Sequence, residues 1–248
     1  MKRSTFASLL CNAILFSILS SCGNSGSENK PAADTATTTT ETTEPTTAPP
    51  VNTTITTPTS MVMVTHKVTD FDKWLSSYES HDSMRLANGI HSYVIGRGFK
   101  DPNTVLVVVK VDDMAKAKAF AKSPDLKKAM QKGGVTGSPT MNFATIVFQD
   151  TANIGSTLRS ITTFTVKDWA AWEKGFKEGQ QERLDNGILT RAYGHDDMND
   201  KKVMLATAVT DTAKAFTYYK SDMLKKRREA GGVVSEPVRF LYNIVKRY

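Results

Sequence analysis

An α+β fold made of two copies of one β-α-β-β-α-β unit is what residues 61–248 predict. Three observations carry it. The segment has the composition of a globular protein, unlike everything before it. It matches itself without a gap at an offset of 98, Trp74 returning as Trp172 and Asn88-Gly89-Ile90 as Asn186-Gly187-Ile188. Within each copy, hydrophobic periodicity alternates between that of strands and that of helices in the same order. A period near 100 residues means two domains, not a solenoid of short repeats.

In the first copy, MVMVTHKV at 61–68 is rich in β-branched residues and predicts a strand. Asp70 stands where an N-cap belongs, before a helix with Phe71, Trp74, Leu75 and Tyr78 on one face. Asn88-Gly89 ends that helix, since glycine reaches the left-handed conformation that a helix C-terminus favours. Residues 90–98 and 104–111 are strands, turned at Asp101-Pro102-Asn103. Asp113 opens a second helix that runs to Lys132 and bends near Ser123-Pro124. Residues 143–148 supply the last strand. Each step recurs in the second copy, which ends in FLYNIVKR. This order is that of the ferredoxin-like sandwich. Its sheet covers one face with its two helices, and the other apolar face needs a partner that a tandem copy supplies within the chain. The domain boundaries are 61–150 and 158–248, joined by a short connection.

The N-terminus reads differently. Lys2 and Arg3 precede an apolar run from Phe6 to Leu19, long enough for a secretory signal and short of the roughly 20 residues of a membrane span. Its ending, Leu19-Ser20-Ser21-Cys22, resembles the lipobox of bacterial lipoproteins. That resemblance implies a signal peptide over 1–21, acylation of Cys22 and a partnership with membrane lipid. The protein is then held at the bacterial cell envelope, facing away from the cytoplasm. Cys11 lies in the removable segment, so the mature chain keeps no free thiol for a disulfide, a thiolate metal site or a cysteine nucleophile. Residues 22–60, dominated by Thr, Pro, Ala and Ser, predict a disordered tether.

The pattern of an aromatic-rich first helix, a helix-ending glycine, the D-P-N hairpin and the S-P-x-L-K-x-A-M helix resembles the antibiotic-biosynthesis-monooxygenase-like members of the dimeric α/β-barrel superfamily. The resemblance covers both copies. It implies an intrachain pseudo-dimer, monomeric overall, whose two sheets close one α/β barrel. The superfamily includes cofactor-free monooxygenases, haem-degrading enzymes, cyclases, isomerases and domains without a known reaction, so fold does not choose among activities. The Asn, Trp and His arrangement of the haem-degrading relatives does not map onto this chain, and no cofactor is assigned.

The helix face of Phe71, Trp74 and Tyr78 continues through His81 and Arg85. One reading places His81 and Arg85 at the mouth of a cavity, with His81 as a general base. The other makes Arg85 a structural cation near a helix C-terminus, as Arg183 in the second copy suggests, where Gly179 replaces the histidine. Trp74 and Trp172 read as core aromatics that could also flank a ligand. His66 aligns with Phe164 and is expected among apolar neighbours; with Tyr93 it completes the first-copy set. His66 and His81 lack a carboxylate at fixed spacing, so no metal site is assigned. There is no phosphate loop, nucleophile elbow or metalloprotease motif. Of the net charge of +7, the signal holds +2 and the tether −3, leaving +8 on the two copies. Much of it sits on the second helices, including Lys225 to Arg228, expected as a solvated face; nucleic acid is not an expected partner. The expected function is an envelope lipoprotein that binds a small organic ligand in its barrel domains. The alternative is a cofactor-independent monooxygenase-like enzyme acting on an aromatic or quinone-like substrate.

Overall fold

The computed structural model describes residues 53–248. The expectations on the signal peptide, on Cys22 and on the tether up to residue 52 lie outside the described residues. In chain order come β1 (Thr54–Ile55), β2 (Thr59–Val68), α1 (Phe71–Ser80), α2 (Asp82–Leu86), β3 (Ile90–Gly98), β4 (Thr104–Val111), α3 (Met114–Ala121), α4 (Pro124–Lys132) and β5 (Val135–Asp150). The same order continues with β6 (Leu158–Thr165), α5 (Trp169–Glu178), α6 (Gln180–Asp185), β7 (Ile188–Asp196), β8 (Lys202–Val209), α7 (Thr212–Tyr219), α8 (Asp222–Ala230) and β9 (Val238–Arg247).

The predicted caps form. Asp70 accepts from the Lys73 amide at 2.8 Å and Asp168 from Ala171 at 2.8 Å, with Asp113 and Asp211 acting alike on α3 and α7. Each such cap stabilises its helix by about 1 kcal/mol. Gly89 and Gly187 take φ of 64° and 67°, the left-handed turn expected of them.

Four expectations need correction. The helix from Phe71 to Asn88 is two helices, broken at His81, whose φ of −102° and ψ of 21° leave the helical range. Gly179 marks the same break in the second copy. The second helix divides at Ser123 instead of bending, because the Ser123 hydroxyl caps a fresh start with Pro124 in its first turn. The last strand of the first copy runs from Val135, well before Phe143. Its early part is masked in the sequence by Gly137-Ser138-Pro139, where the pairing with β2 shifts register and Gly137 takes a φ of 69°. Finally, Thr54–Ile55 and Thr59–Ser60, expected as tether, are strand. They lie along one edge of β5, where β-branched threonines pair well despite a low-complexity composition.

All pairings among the nine described strands are antiparallel, in the order β1-β5-β2-β4-β3-β9-β6-β8-β7, and β7 returns to pair with β5. The large sheet therefore closes on itself as a barrel, with the eight described helices on its outside. Two seams join the halves, β3 to β9 and β5 to β7. Alternate residues face inward, and Met61, Met63, Leu106, Val108, Ile146, Met204 and Tyr242 fill the barrel. Their neighbours face the helices: Val62, Val107 and Val109 pack on Phe71, Trp74 and Phe120, and Phe164 and Val203 pack on Trp172.

Candidate functional site

Between the outer face of the sheet and the helices of the first half lies a cavity of about 100 Å³. Val62, Val64 and His66 of β2 reach it because they alternate along one face of the strand. Val107 and Val109 of β4 continue that wall, and Phe120, Met130 and Met141 close the far side. From the first helices come Trp74, Tyr78, His81 and Arg85. Five residues singled out from sequence are thus brought together.

His66 is the deepest polar group, 6% exposed, with its ring 5.4 Å from that of Trp74. Neither ring nitrogen has a hydrogen-bond partner among the described residues. Burial pushes its pKa down to about 4, so the imidazole is neutral at pH 7 and carries one unmet donor and one unmet acceptor. His81 sits at the helix break, nearer the mouth. Its Nδ1 lies 2.6 Å from the Ser77 carbonyl oxygen. A carbonyl only accepts, so Nδ1 carries a proton, and in the neutral imidazole Nε2 is the nitrogen with the lone pair. That is the tautomer a general base requires.

Arg85 is 6% exposed and answers the helix break. Its Nη1 donates to the Tyr78 carbonyl at 2.6 Å, its Nη2 to Asp82 at 2.9 Å, and its guanidinium lies 3.7 Å over the Tyr78 ring. Arg183 repeats this on Phe176, at 2.6 Å and 3.7 Å. Both arginines therefore tie down a helix end freed by the break, which favours the structural reading. In both, Nε is buried without a partner among the described residues. Tyr78 is fixed by a 2.8 Å hydrogen bond to Ser92 and stacks on Trp74 at 5.3 Å.

Tyr93 does not join this set. It points into the barrel, on the opposite face of the sheet, because Ser92 occupies the helix-facing position beside it and the strand bulges at Tyr93 itself. His91 pairs with Asp112 at the surface, and His195 packs on Trp169 at 4.9 Å; neither lines either helix-and-sheet cavity. Among the described residues no three His, Cys, Asp or Glu side chains cluster to hold a metal ion.

The second half has the corresponding cavity, about 230 Å³, with Trp172 and Arg183 in its lining. Its chemistry differs at matched positions. Where the first half has Val64, Ala121, Met130 and Met141, the second has Thr162, Tyr219, Arg228 and Arg239. Arg239 lies 3.5 Å over the Tyr219 ring and donates to Thr162 at 3.2 Å, while the Tyr219 hydroxyl is buried without a partner among the described residues. Burial lowers the pKa of Arg228 and Arg239, and neither has an ion pair among the described residues. Arg228 thus lines a cavity and is not part of the solvated helix face expected for it. The sequence signal that marks Arg228 and Arg239 is a charge present in one copy of the repeat and absent from the other, at Met130 and Met141.

No family model matches this sequence, and no curated protein does. Solved structures do share the fold. A candidate monooxygenase from Fusobacterium nucleatum is 14% identical and superposes with a TM-score of 0.51 over 76% of this chain and 93% of its own. An anthrone oxidase-like protein is 13% identical, with a TM-score of 0.51 over 77% and 92%. A candidate chlorite dismutase is 13% identical, with a TM-score of 0.50 over 76% and 96%. At such identities the likeness is one of fold: a mixed α+β structure on a large antiparallel sheet, consistent with the dimeric α/β barrel.

Proposed function

We propose that this chain is a lipid-anchored envelope protein that binds a small organic ligand in the helix-and-sheet cavity of its first half. In this reading residues 61–150 and 158–248 are tandem ferredoxin-like domains, a pseudo-dimer within one chain. The orphaned imidazole of His66 carries the proposal. An unmet buried polar group costs roughly 1–3 kcal/mol, and the apolar walls of the 100 Å³ cavity forgo dispersion contacts unless something packs against them. A compact neutral molecule with a hydroxyl or carbonyl, about the size of one ring, offsets both. By its arginines, the second cavity suits a ligand bearing an acid group. A haem belongs at the large end of ligands that fill roughly 300–1,000 Å³. Neither the 100 Å³ nor the 230 Å³ cavity accommodates one, so no haem is assigned to either.

Protein purified without denaturation and then extracted is expected to release a small molecule detectable by mass spectrometry. Finding none, and no stabilisation by any one-ring phenol or ketone, would sink the binding reading. Anchoring is tested separately. Cys22→Ser is expected to move the protein from the membrane fraction to the soluble one and to abolish acyl labelling.

The Nε2 lone pair of His81 supports a second reading, a cofactor-independent monooxygenase-like enzyme acting on an aromatic or quinone-like substrate. His81 would take the acidic proton of a bound phenol or enol, leaving an anion to react with dioxygen. Once a turnover is established, His81→Ala is expected to lower kcat by about 10²–10⁴-fold, the usual contribution of a positioned base. An unchanged rate removes His81 from the mechanism.

A further inference from the structure

The barrel interior holds a third cavity, of about 90 Å³, at the end where β6 and β7 begin and β5 and β9 finish. Its lining residues come in pairs 98 positions apart: Met61 with Arg159, Tyr93 with Arg191, Gln149 with Arg247. The cavity therefore lies where the two halves meet about their common axis. At each of these three positions the first half is uncharged and the second half is arginine.

Arg159 is 4% exposed and, among the described residues, donates only to the backbone carbonyls of Ser156 and Leu158, at 2.7 and 3.0 Å. It has no carboxylate partner among the described residues. Arg191, 7% exposed, pairs with Asp150 at 2.8 Å and donates to the Ala152 carbonyl at 2.5 Å. Arg247 stands at the exposed rim without an ion pair among the described residues. Asp150 thus answers one arginine and leaves two uncompensated charges around one small space. Burial, followed by repulsion from Arg191 and Arg247, pushes the Arg159 pKa down to about 10, so it remains cationic at pH 7. Carrying an unpaired guanidinium into a barrel interior is costly unless something compensates it.

We propose that the Arg159, Arg191 and Arg247 pocket binds a compact tetrahedral oxyanion of the phosphate or sulfate class. A guanidinium presents its donors in a planar fork that matches oxyanion oxygens, and convergent forks give both affinity and selectivity over chloride. A space of 90 Å³ equals about three waters and limits the buried group to one such ion. A larger molecule could bury only its terminal phosphate or sulfate there, its remainder leaving past Arg247. The site is independent of the first-half cavity and of any reaction there.

Thermal unfolding and titration calorimetry of the full chain in detergent test this, with inorganic phosphate or sulfate against sodium chloride at equal ionic strength. Phosphate or sulfate is expected to raise the wild-type Tm by several degrees beyond chloride. Arg159→Met, which installs the residue of the matched position, is expected to abolish that extra shift. Arg247→Gln, also a first-half identity, is expected to weaken oxyanion binding at least tenfold. Should Arg159→Met fail to fold, the rim variant decides alone. A shift no greater than that of chloride, or one that Arg247→Gln leaves intact, overturns the proposal.

Discussion

Replacing Gly194 with alanine is expected to destabilise the fold by about 3 kcal/mol or more, read as a fall in the denaturant midpoint. Gly194 lies on the seam where β7 meets β5 and closes the barrel, opposite Ile146. A Cβ at this position would stand 2.1 Å from the Thr145 carbonyl oxygen and 2.7 Å from the Ile146 Cα. Both are backbone atoms, so no rotamer change relieves the contact and the strands must separate. Overpacking a core ordinarily costs 1–3 kcal/mol. Here it also removes ladder hydrogen bonds from a seam that holds the two halves together. Gly96, its counterpart on the β3–β9 seam, provides the control. Its Cβ would stand 2.3 Å from a ring carbon of Tyr242, a side chain stacked on Phe240. A ring can tilt where a backbone cannot, so Gly96→Ala is expected to lose less than Gly194→Ala. Equal stability of Gly194→Ala and the parent chain would mean that this seam is not closed as described.

Gly96 and Gly194 also illustrate how far the sequence is legible. Their recurrence at one offset is plain, but nothing in it says that they face other strands at two seams. Local signals suffice where the chemistry is local: Asp70, Asp113, Asp168 and Asp211 cap helices, and Gly89 and Gly187 end them, because each needs only its own neighbours. The helix break at His81 has no such signal, because that copy has no glycine or proline there. The other copy does, at Gly179, and the break is set by Arg85 and Arg183 reaching back to carbonyls seven residues earlier. Pairing between halves depends on closure, a property of the whole sheet. Hence the sequence groups Tyr93 with His81, although one step of strand alternation puts it in the barrel. The arginines of the barrel and of the second cavity are hidden for a simpler reason. In composition, buried arginines are indistinguishable from the solvated charges beside them, and only comparison of the two copies separates them.

His66→Phe is expected to stabilise the ligand-free protein by about 1–3 kcal/mol at pH 7 and to remove its ligand. The second half already uses this residue, and the two sites are close in shape: His66 meets Trp74 at 5.4 Å and 56°, and Phe164 meets Trp172 at 5.6 Å and 62°. Phenylalanine therefore fits the place, and it removes a buried donor and acceptor that nothing among the described residues satisfies. Acid sharpens the difference. An unfolded histidine titrates near 6.5, whereas His66 in the fold takes a proton only near pH 4. Between these values the unfolded chain binds more protons, so falling pH favours unfolding. The contribution of neutral His66 is complete above about pH 6.5 and is lost progressively down to about pH 4, on the order of 3 kcal/mol in all. His66→Phe lacks this term, and its advantage over the parent should widen by that amount between pH 7 and pH 4 in parallel denaturant melts. A constant difference across that range would place a partner on His66 and remove the ground for a ligand there. A stabilised variant that still releases the same bound molecule would instead separate the orphaned imidazole from recognition and leave binding to His81 and Arg85.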